Sequence, residues 1–397
     1  MNMFNAITPE LLQTFHVDAA QLGNLSAFYF YGDVIFLIPA GMILDRISTR
    51  TVILLAMIFC VSGTVIFANA HEFWVAGLGR LMTGVGNAFS FLSCIRLASR
   101  WFTPKHMALV VGVIVTIAMA GGAAAQTPLT ILTQHVGWRH AMLYNAAFGA
   151  AIIVLVLAIV QDHPSELAAQ LKQDQEELHQ ITLMQTLRLS LGNLQNWCAG
   201  MYASLLNLSI FIMGALFGAL YLRQVDHLAR TDASNITAMV FVGTIIGAPV
   251  WGYLSDKISL RKKPMIIGAL LSIVTVFAIV YGGHLSYRAL WSLFFLLGLF
   301  TSSQILAYPL ISESNPSMIT STALGLSSVL IMAGGAIFQP LFGWMLDYHW
   351  SHLYRHHMPI YSPENFHFAL VILPVAFVVA LLAGFLLKET RCEPYKS

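Results

Sequence analysis

Residues 26–46, SAFYFYGDVIFLIPAGMILDR, place one aspartate in the middle of an otherwise apolar run. A helix through this stretch carries the Asp33 carboxylate at mid-length. In a bilayer such a group costs roughly 2.5–3.5 kcal/mol to insert, so it faces the protein interior and marks an ion or substrate path. Arg80 is the matching base, the only Lys or Arg placed well inside an apolar stretch. Two roles are open for an Asp33–Arg80 pair. A permanent pair is a brace that never titrates; a pair that separates leaves a desolvated carboxylate that takes up a proton. Tyr29, Asn87, Asn207, Gln304 and Tyr308 are polar, mid-span and on different stretches, and are the candidates for a shared cavity. Singly, such residues serve helix-to-helix hydrogen bonding more often than solute binding. One acid, one base and neutral polar groups suit a small zwitterion or organic anion.

The elements that must hold these residues are membrane helices. Of 397 residues, 57% are hydrophobic and 10% charged, far from the balance of a soluble domain. Apolar stretches near 26–44, 52–69, 74–98, 107–133, 140–161, 197–222, 236–255, 264–283, 289–310, 318–345 and 367–387 are each long enough to span a core of about 30 Å. That makes eleven spans in an all-α polytopic protein. Short alternating strands are missing, which excludes a β-barrel. The basic turns holding Arg46 and Arg50, then Arg96, Arg100 and Lys105, then Lys257, Arg261, Lys262 and Lys263, alternate with turns poor in Lys and Arg. Those turns are therefore cytoplasmic, and the C-terminus with them. The net charge of +2 conceals this asymmetry, and no nucleic-acid partner is implied.

Two segments recur at one spacing. GMILDRISTR at 41–50 matches GYLSDKISLR at 252–261, offset 252 − 41 = 211, and MAGGAAAQ at 119–126 matches MAGGAIFQ at 332–339, offset 332 − 119 = 213. The chain is a duplicated bundle, with an N-terminal half over 1–161, a polar linker over 162–195 and a C-terminal half over 196–397. The second half has one more helix ahead of its Asp256 turn than the first has ahead of Asp45. Residues 1–25 are too polar to span, so MNMFNAI is expected to be the last turn or two of a first helix that this chain lacks.

Repeated six-helix halves with G-x-x-x-D-R/K-x-x-x-R between helices two and three resemble the major facilitator superfamily of secondary transporters. Arg80 with Gly84 and Gly86, a fifth helix with Gly121, Gly122 and Pro128, TrpPhe at 101–102 and GlyTrpArg at 137–139 carry the same resemblance. LSAFYFY, YSPENFHFAL and the terminal KETRC resemble a bacterial subgroup near the lysosomal dipeptide transporter branch. Ser48 and Thr49 depart from the usual Gly-Arg of the first turn. The resemblance implies alternating access, in a monomer of a cell membrane (inner or plasma), with protons as coupling ion and an amino-acid- or peptide-like solute. A uniporter, a drug or metabolite efflux carrier, a transporter-derived sensor and an inactive remnant are the alternatives.

The resemblance also assigns a cytoplasmic gate. Gly41 and Gly252 would let a helix of the other half approach. Asp45 and Asp256, beside Arg46, Arg50, Lys257 and Arg261, would meet the N-termini of helices beginning near Ser317 and near Lys105. Gly334, Gly335, Gln339 and Pro340 repeat the fifth-helix pattern, and Gln126 and Gln339 read as packing or outer-gate residues. His349, His352 and His356 read as a solvated loop, since no acid or Cys clusters with them. No G-x-x-x-x-G-K-[ST] run occurs, so the energy source is a gradient. No metal, cofactor or enzymatic activity is expected.

Overall fold

The computed structural model describes residues 3–101, 104–162, 183–283, 285–355 and 358–393. The side chains of some helical residues, among them Gly41, Asp45, Arg46, Lys105 and residues 317–319, lie outside that description. The first half comprises α1 (Phe4–Phe15), α2 (Ala19–Arg46), α3 (Thr49–Asn69), α4 (Phe73–Trp101), α5 (Pro104–Ala124), α6 (Thr127–Val136) and α7 (Trp138–Ile159). A short helix α8 (Leu183–Gly192) lies in the expected linker, of which residues 163–182 are outside the description. The second half comprises α9 (Leu194–Leu208), α10 (Gly218–Gln224), α11 (Arg230–Ile258), α12 (Lys262–Tyr281), α13 (Tyr287–Thr301), α14 (Ala307–Glu313), α15 (Ser317–Tyr348), α16 (Pro363–Leu370) and α17 (Ile372–Leu386). A two-stranded hairpin pairs Tyr354 with Pro359 and Arg355 with Met358.

Ten helices or helix pairs among the described residues are long and apolar enough to cross a membrane. The eleventh expected span is the 28-residue α2, which carries Asp33. α1 corrects the expectation for the N-terminus. It is a 12-residue helix rather than one or two closing turns, too short at about 18 Å to span. Its first residues are buried against the second half, where Asn5 Nδ2 donates to the carbonyls of Met213 and Gly214 at 3.1 and 2.5 Å. Asn5 Oδ1 also accepts from Ala219 N at 3.1 Å. These carbonyls and amides flank the place where the first membrane helix of the second half breaks, between a π segment (Ser209–Gly214) and α10. Asn5 supplies the partners that the break removes, as hydrocarbon requires.

The duplication extends into packing. An added Cβ at Gly84 would strike the Tyr29 carbonyl, and one at Gly32 the Leu81 carbonyl; equivalently, Gly298 meets Val240 and Gly243 meets Phe295. The offsets are 240 − 29 = 211, 243 − 32 = 211, 295 − 81 = 214 and 298 − 84 = 214. Each half thus crosses two of its helices, α2 on α4 and α11 on α13, at backbone contact through a pair of glycines.

The halves meet at one end. There Thr127 donates to Asn235 at 2.7 Å, the Thr130 and Ser234 hydroxyls pair at 2.7 Å, and Thr237 donates to Gln126 at 3.1 Å. Arg230 joins Glu10, and Gly23 and Gly343 let α2 and α15 touch backbone to backbone. At the opposite end a Cβ on Gly252 or Gly325 would meet nothing among the described residues within 4 Å. Gly121 likewise faces open space rather than a packed helix, whereas Gly334 meets Ser204 and Gly335 meets Phe30.

Replacing Gly84 or Gly298 by Ala is expected to lower the stability of the detergent-solubilised protein by about 1–3 kcal/mol or to prevent folding, since backbone atoms cannot yield. Gly121→Ala should be neutral. Thermal denaturation followed by size-exclusion chromatography distinguishes them.

Candidate functional site

Asp33 and Arg80 lie on the α2–α4 crossing, each about 1% exposed. They do not pair. Asp33 Oδ1 accepts from Asn87 Nδ2 at 3.0 Å, and Asp33 Oδ2 has no hydrogen-bond partner. The Arg80 guanidinium lies between two rings, 4.6 Å from the Phe4 centroid and 4.9 Å from that of Tyr29. Its Nε and Nη2 are buried without partners. The reason is register. Arg80 and Asn87 are seven residues apart on α4, two turns or about 10 Å along one face. Asp33 is level with Asn87, so the arginine faces the preceding turn of α2, where Tyr29 stands.

Tyr29 is 5% exposed and wedged against Phe30 and Arg80 rather than lining open space. Phe4 and Asn5, which lay in a segment read only as a helix end, complete the site: one stacks under Arg80, the other holds the broken helix. Polarity alone could not have marked them. Only their burial does.

The second-half candidates gather at two irregular helices. Asn207 closes α9 just before the π segment, and Gln304 sits in a 3₁₀ turn (Ser302–Leu306) between α13 and α14. Gln304 Nε2 donates to Asn207 Oδ1 at 2.9 Å, leaving Gln304 Oε1 buried without a partner. Around them Tyr202 donates to the Met265 carbonyl and pairs with Ser303 at 2.8 Å, and Ser209 donates to Thr301 at 3.1 Å. Tyr308 lies against Ser328. Departures from α-helix geometry concentrate at functional positions, and interrupted helices form solute sites in membrane carriers. Phe30 packs on Phe211 of the π segment with ring centroids 4.9 Å apart, a contact between the two halves.

The glycine crossings permit an internal control. At the second-half equivalents, Thr244 stands in place of Asp33, Phe294 in place of Arg80 and Thr301 in place of Asn87, by the offsets of 211 and 214. Thr244 and Thr301 satisfy themselves with carbonyls of their own helices. The same crossing is thus built without charge.

The turn motifs are clamped within their own halves. Asp256 Oδ1 accepts from Arg261 at 2.6 Å and is largely exposed, while Arg261 also bridges to Glu313 at 2.8 Å. Burial works against the Arg261 charge, but hydrogen bonds to Glu313 and Asp256 outweigh it and hold the guanidinium above its ordinary value. Glu389 accepts from the amides of Arg261 and Lys262 at 2.7 and 2.9 Å, capping α12. In the first half Asp162 does the same for the Arg50 amide at 2.7 Å. Lys257 lies over the Tyr253 ring. The described partner of Asp256 is thus Arg261 of its own half, and the side chains at the start of the helix near Lys105 lie outside the description. Gly41, Asp45 and Arg46 lie outside the described side chains. Gln126 bridges the halves through Thr237, Gln339 donates to the Phe211 carbonyl at 2.8 Å, and Pro340 lies beside Gly23. Gly122 is buried and Pro128 opens α6 just after a break at Gln126. Arg139 caps α3 through the carbonyls of Ala68 and Ala70 at 2.8 and 2.7 Å, which explains the GlyTrpArg motif. No metal-binding group of His, Cys, Asp or Glu occurs among the described residues; His356 lies outside them.

A predominantly helical membrane protein with doubled crossings, broken helices and buried charge at its centre has the build of a membrane transporter. The family profile of the Major Facilitator Superfamily matches residues 1–229 and 196–396, and the chain belongs to that superfamily of membrane transporters. It is 20% identical over 371 residues to the lysosomal dipeptide transporter MFSD1 of Danio rerio, covering 86% of this chain and 76% of that protein. To the putative transporter AraJ of Escherichia coli (strain K12) it is 25% identical over 304 residues, 76% of this chain and 69% of that one. A solved structure of a bacterial homolog to the human lysosomal transporter Spinster, inward-facing and unoccupied, matches with a TM-score of 0.76 at 16% identity, over 96% of this chain and 92% of that one.

Asp33→Thr, which copies the second-half residue, is expected to leave thermal stability within about 1 kcal/mol of the parent. A structural brace would instead show a loss of about 3–5 kcal/mol when one partner of a buried charge pair is removed.

Proposed function

We propose that the chain carries a small carboxylate-bearing solute, amino-acid- or peptide-like, by alternating access, with Asp33 as the proton-coupling group and Arg80 as the solute-binding cation. The observation that carries this reading is the separation of the two charges. Two buried ions locked together would satisfy each other; here each keeps open hydrogen-bonding capacity in a low-dielectric setting, where an unmet charge is costly. An arginine with free Nε and Nη2 presents the planar fork that a carboxylate fills with two hydrogen bonds. A carboxylate with one free oxygen is met most simply by a proton. The neutral second-half counterparts support a role for these charges beyond holding the crossing together.

Basic turns on the cytoplasmic side make the sealed end the outer one, so this conformation is inward-facing. Asn207 and Gln304, at interrupted helices, supply the neutral half of the solute site, with Gln304 Oε1 as an acceptor for an ammonium or amide. The dipeptide carrier of Danio rerio supports a peptide-like solute. The cell membrane (inner or plasma) is the assigned location, with a monomer as the working unit.

Reconstituted into liposomes, the protein is expected to accumulate dipeptides or amino acids in response to a pH gradient, with saturable kinetics. Asp33→Asn should abolish pH-driven accumulation yet spare exchange of labelled for unlabelled solute. Accumulation that survives this change unaltered removes Asp33 from coupling. Arg80→Lys keeps the charge but not the fork, and should raise KM about tenfold or more. Saturable binding without flux would identify a sensor instead.

A further inference from the structure

α2 and α15 run antiparallel, and their outer ends hold a carboxylate that the transport reading does not use. Asp347, in the last turn of α15, accepts from the amides of Ala19 and Ala20, the first two residues of α2, at 3.3 and 2.6 Å. Tyr361 completes the cluster. Its hydroxyl donates to Asp347 Oδ1 at 2.7 Å and accepts from Ala19 N at 2.9 Å. A helix begins with orphan N–H groups and a positive dipole end. In α2 the N–H groups of Asp18 and Gln21 are met by its own capping box, and those of Ala19 and Ala20 by the other half of the molecule. Half of the cap therefore moves with α2, and half is lost if α2 and α15 part. Burial, and then the Asp347 charge, push the Tyr361 hydroxyl well above its ordinary value, so it remains a donor.

Contacts along α15 grade from one end to the other. Gly343 lies on the Ala19 and Ala20 backbone, the Gln339 carbonyl meets Gly23 and Gly335 meets the Phe30 ring, while Gly325 faces open space. We infer that Asp347, with Tyr361, is the outer latch of the transport cycle: it holds α2 to α15 while the cytoplasmic side is open and releases it when the outer side opens. The inference rests on the alternating-access reading above. It gives the helix pair a carboxylate-to-amide contact at its outer end, opposite the Asp45 contact that the first turn motif implies at its inner end. The two contacts alternate because two rigid helices that rock about a shared crossing cannot close at both ends.

The test uses the full chain with Cys60, Cys94, Cys198 and Cys392 replaced and Ser234→Cys introduced. Ser234 is buried at the outer α6–α11 contact, so a membrane-impermeant maleimide added outside reads outer opening. Asp347→Asn offers one acceptor oxygen, and its NH₂ faces backbone donors. It should label about fivefold faster or more than the parent. Tyr361→Phe keeps the ring packed on Trp350 and Phe366 and should fall between. Glu364→Gln, at an exposed outer acid, should match the parent. If Asp347→Asn does not fold, Tyr361→Phe decides, and labelling at the parental rate overturns the latch. A parent that labels, with latch variants no faster, overturns the latch and leaves the carrier reading standing. No labelling in any variant, together with no solute flux, overturns both.

Discussion

Hydrocarbon offers no hydrogen bonds, so every polar group in the core of this molecule has to be answered by protein or by what the protein carries. That constraint organises the structure. It explains why Asn5, in a short N-terminal helix, reaches into the break between the π segment and α10. It also makes the remaining unanswered atoms informative. Asp33 Oδ2, Arg80 Nε and Nη2 and Gln304 Oε1 are among the atoms buried without partners, and Arg80 lies against Phe4 and Tyr29 while Phe30 packs on Phe211 of the π segment.

The duplicated crossings separate what the fold needs from what the site adds. Glycine pairs bring helix backbones together in both halves, a geometric requirement that any larger residue would violate. The charges occur in one half alone. Seven residues along α4 place Arg80 beside Tyr29 and Asn87 beside Asp33, so the helix itself keeps acid and base apart. The register leaves the two charges without each other.

The asymmetry between the two ends is the other consequence. Hydroxyl and amide pairs across α6 and α11, with the α2–α15 contact, seal one face, while glycines at the other face look into open space. The turn motifs at the open end are held within their own halves by Arg261, Glu313 and Glu389, and by Asp162. These turns are therefore tied into their own halves, and the contacts that join the halves lie at the sealed face.

Hydropathy and the two repeats were enough to establish the membrane class and the spans, because these properties are local or recur at constant offset, and the superfamily was legible through the resemblance of the turn motifs and their companions. Asp33 and Arg80 were also legible, since a charge in an apolar run stands out without coordinates. Their relation was not. Whether two residues on different helices touch depends on helix rotation and on the depth of a glycine crossing, which spacing within one helix does not encode. Asn5, Asp347 and Tyr361 were missed for a related reason: near a helix end they look like ordinary boundary residues, and only long-range packing turns them into caps for a helix in the other half. Which face is sealed was likewise decided by tertiary contact, because pairs such as Thr127–Asn235 and Thr130–Ser234 join residues more than a hundred positions apart.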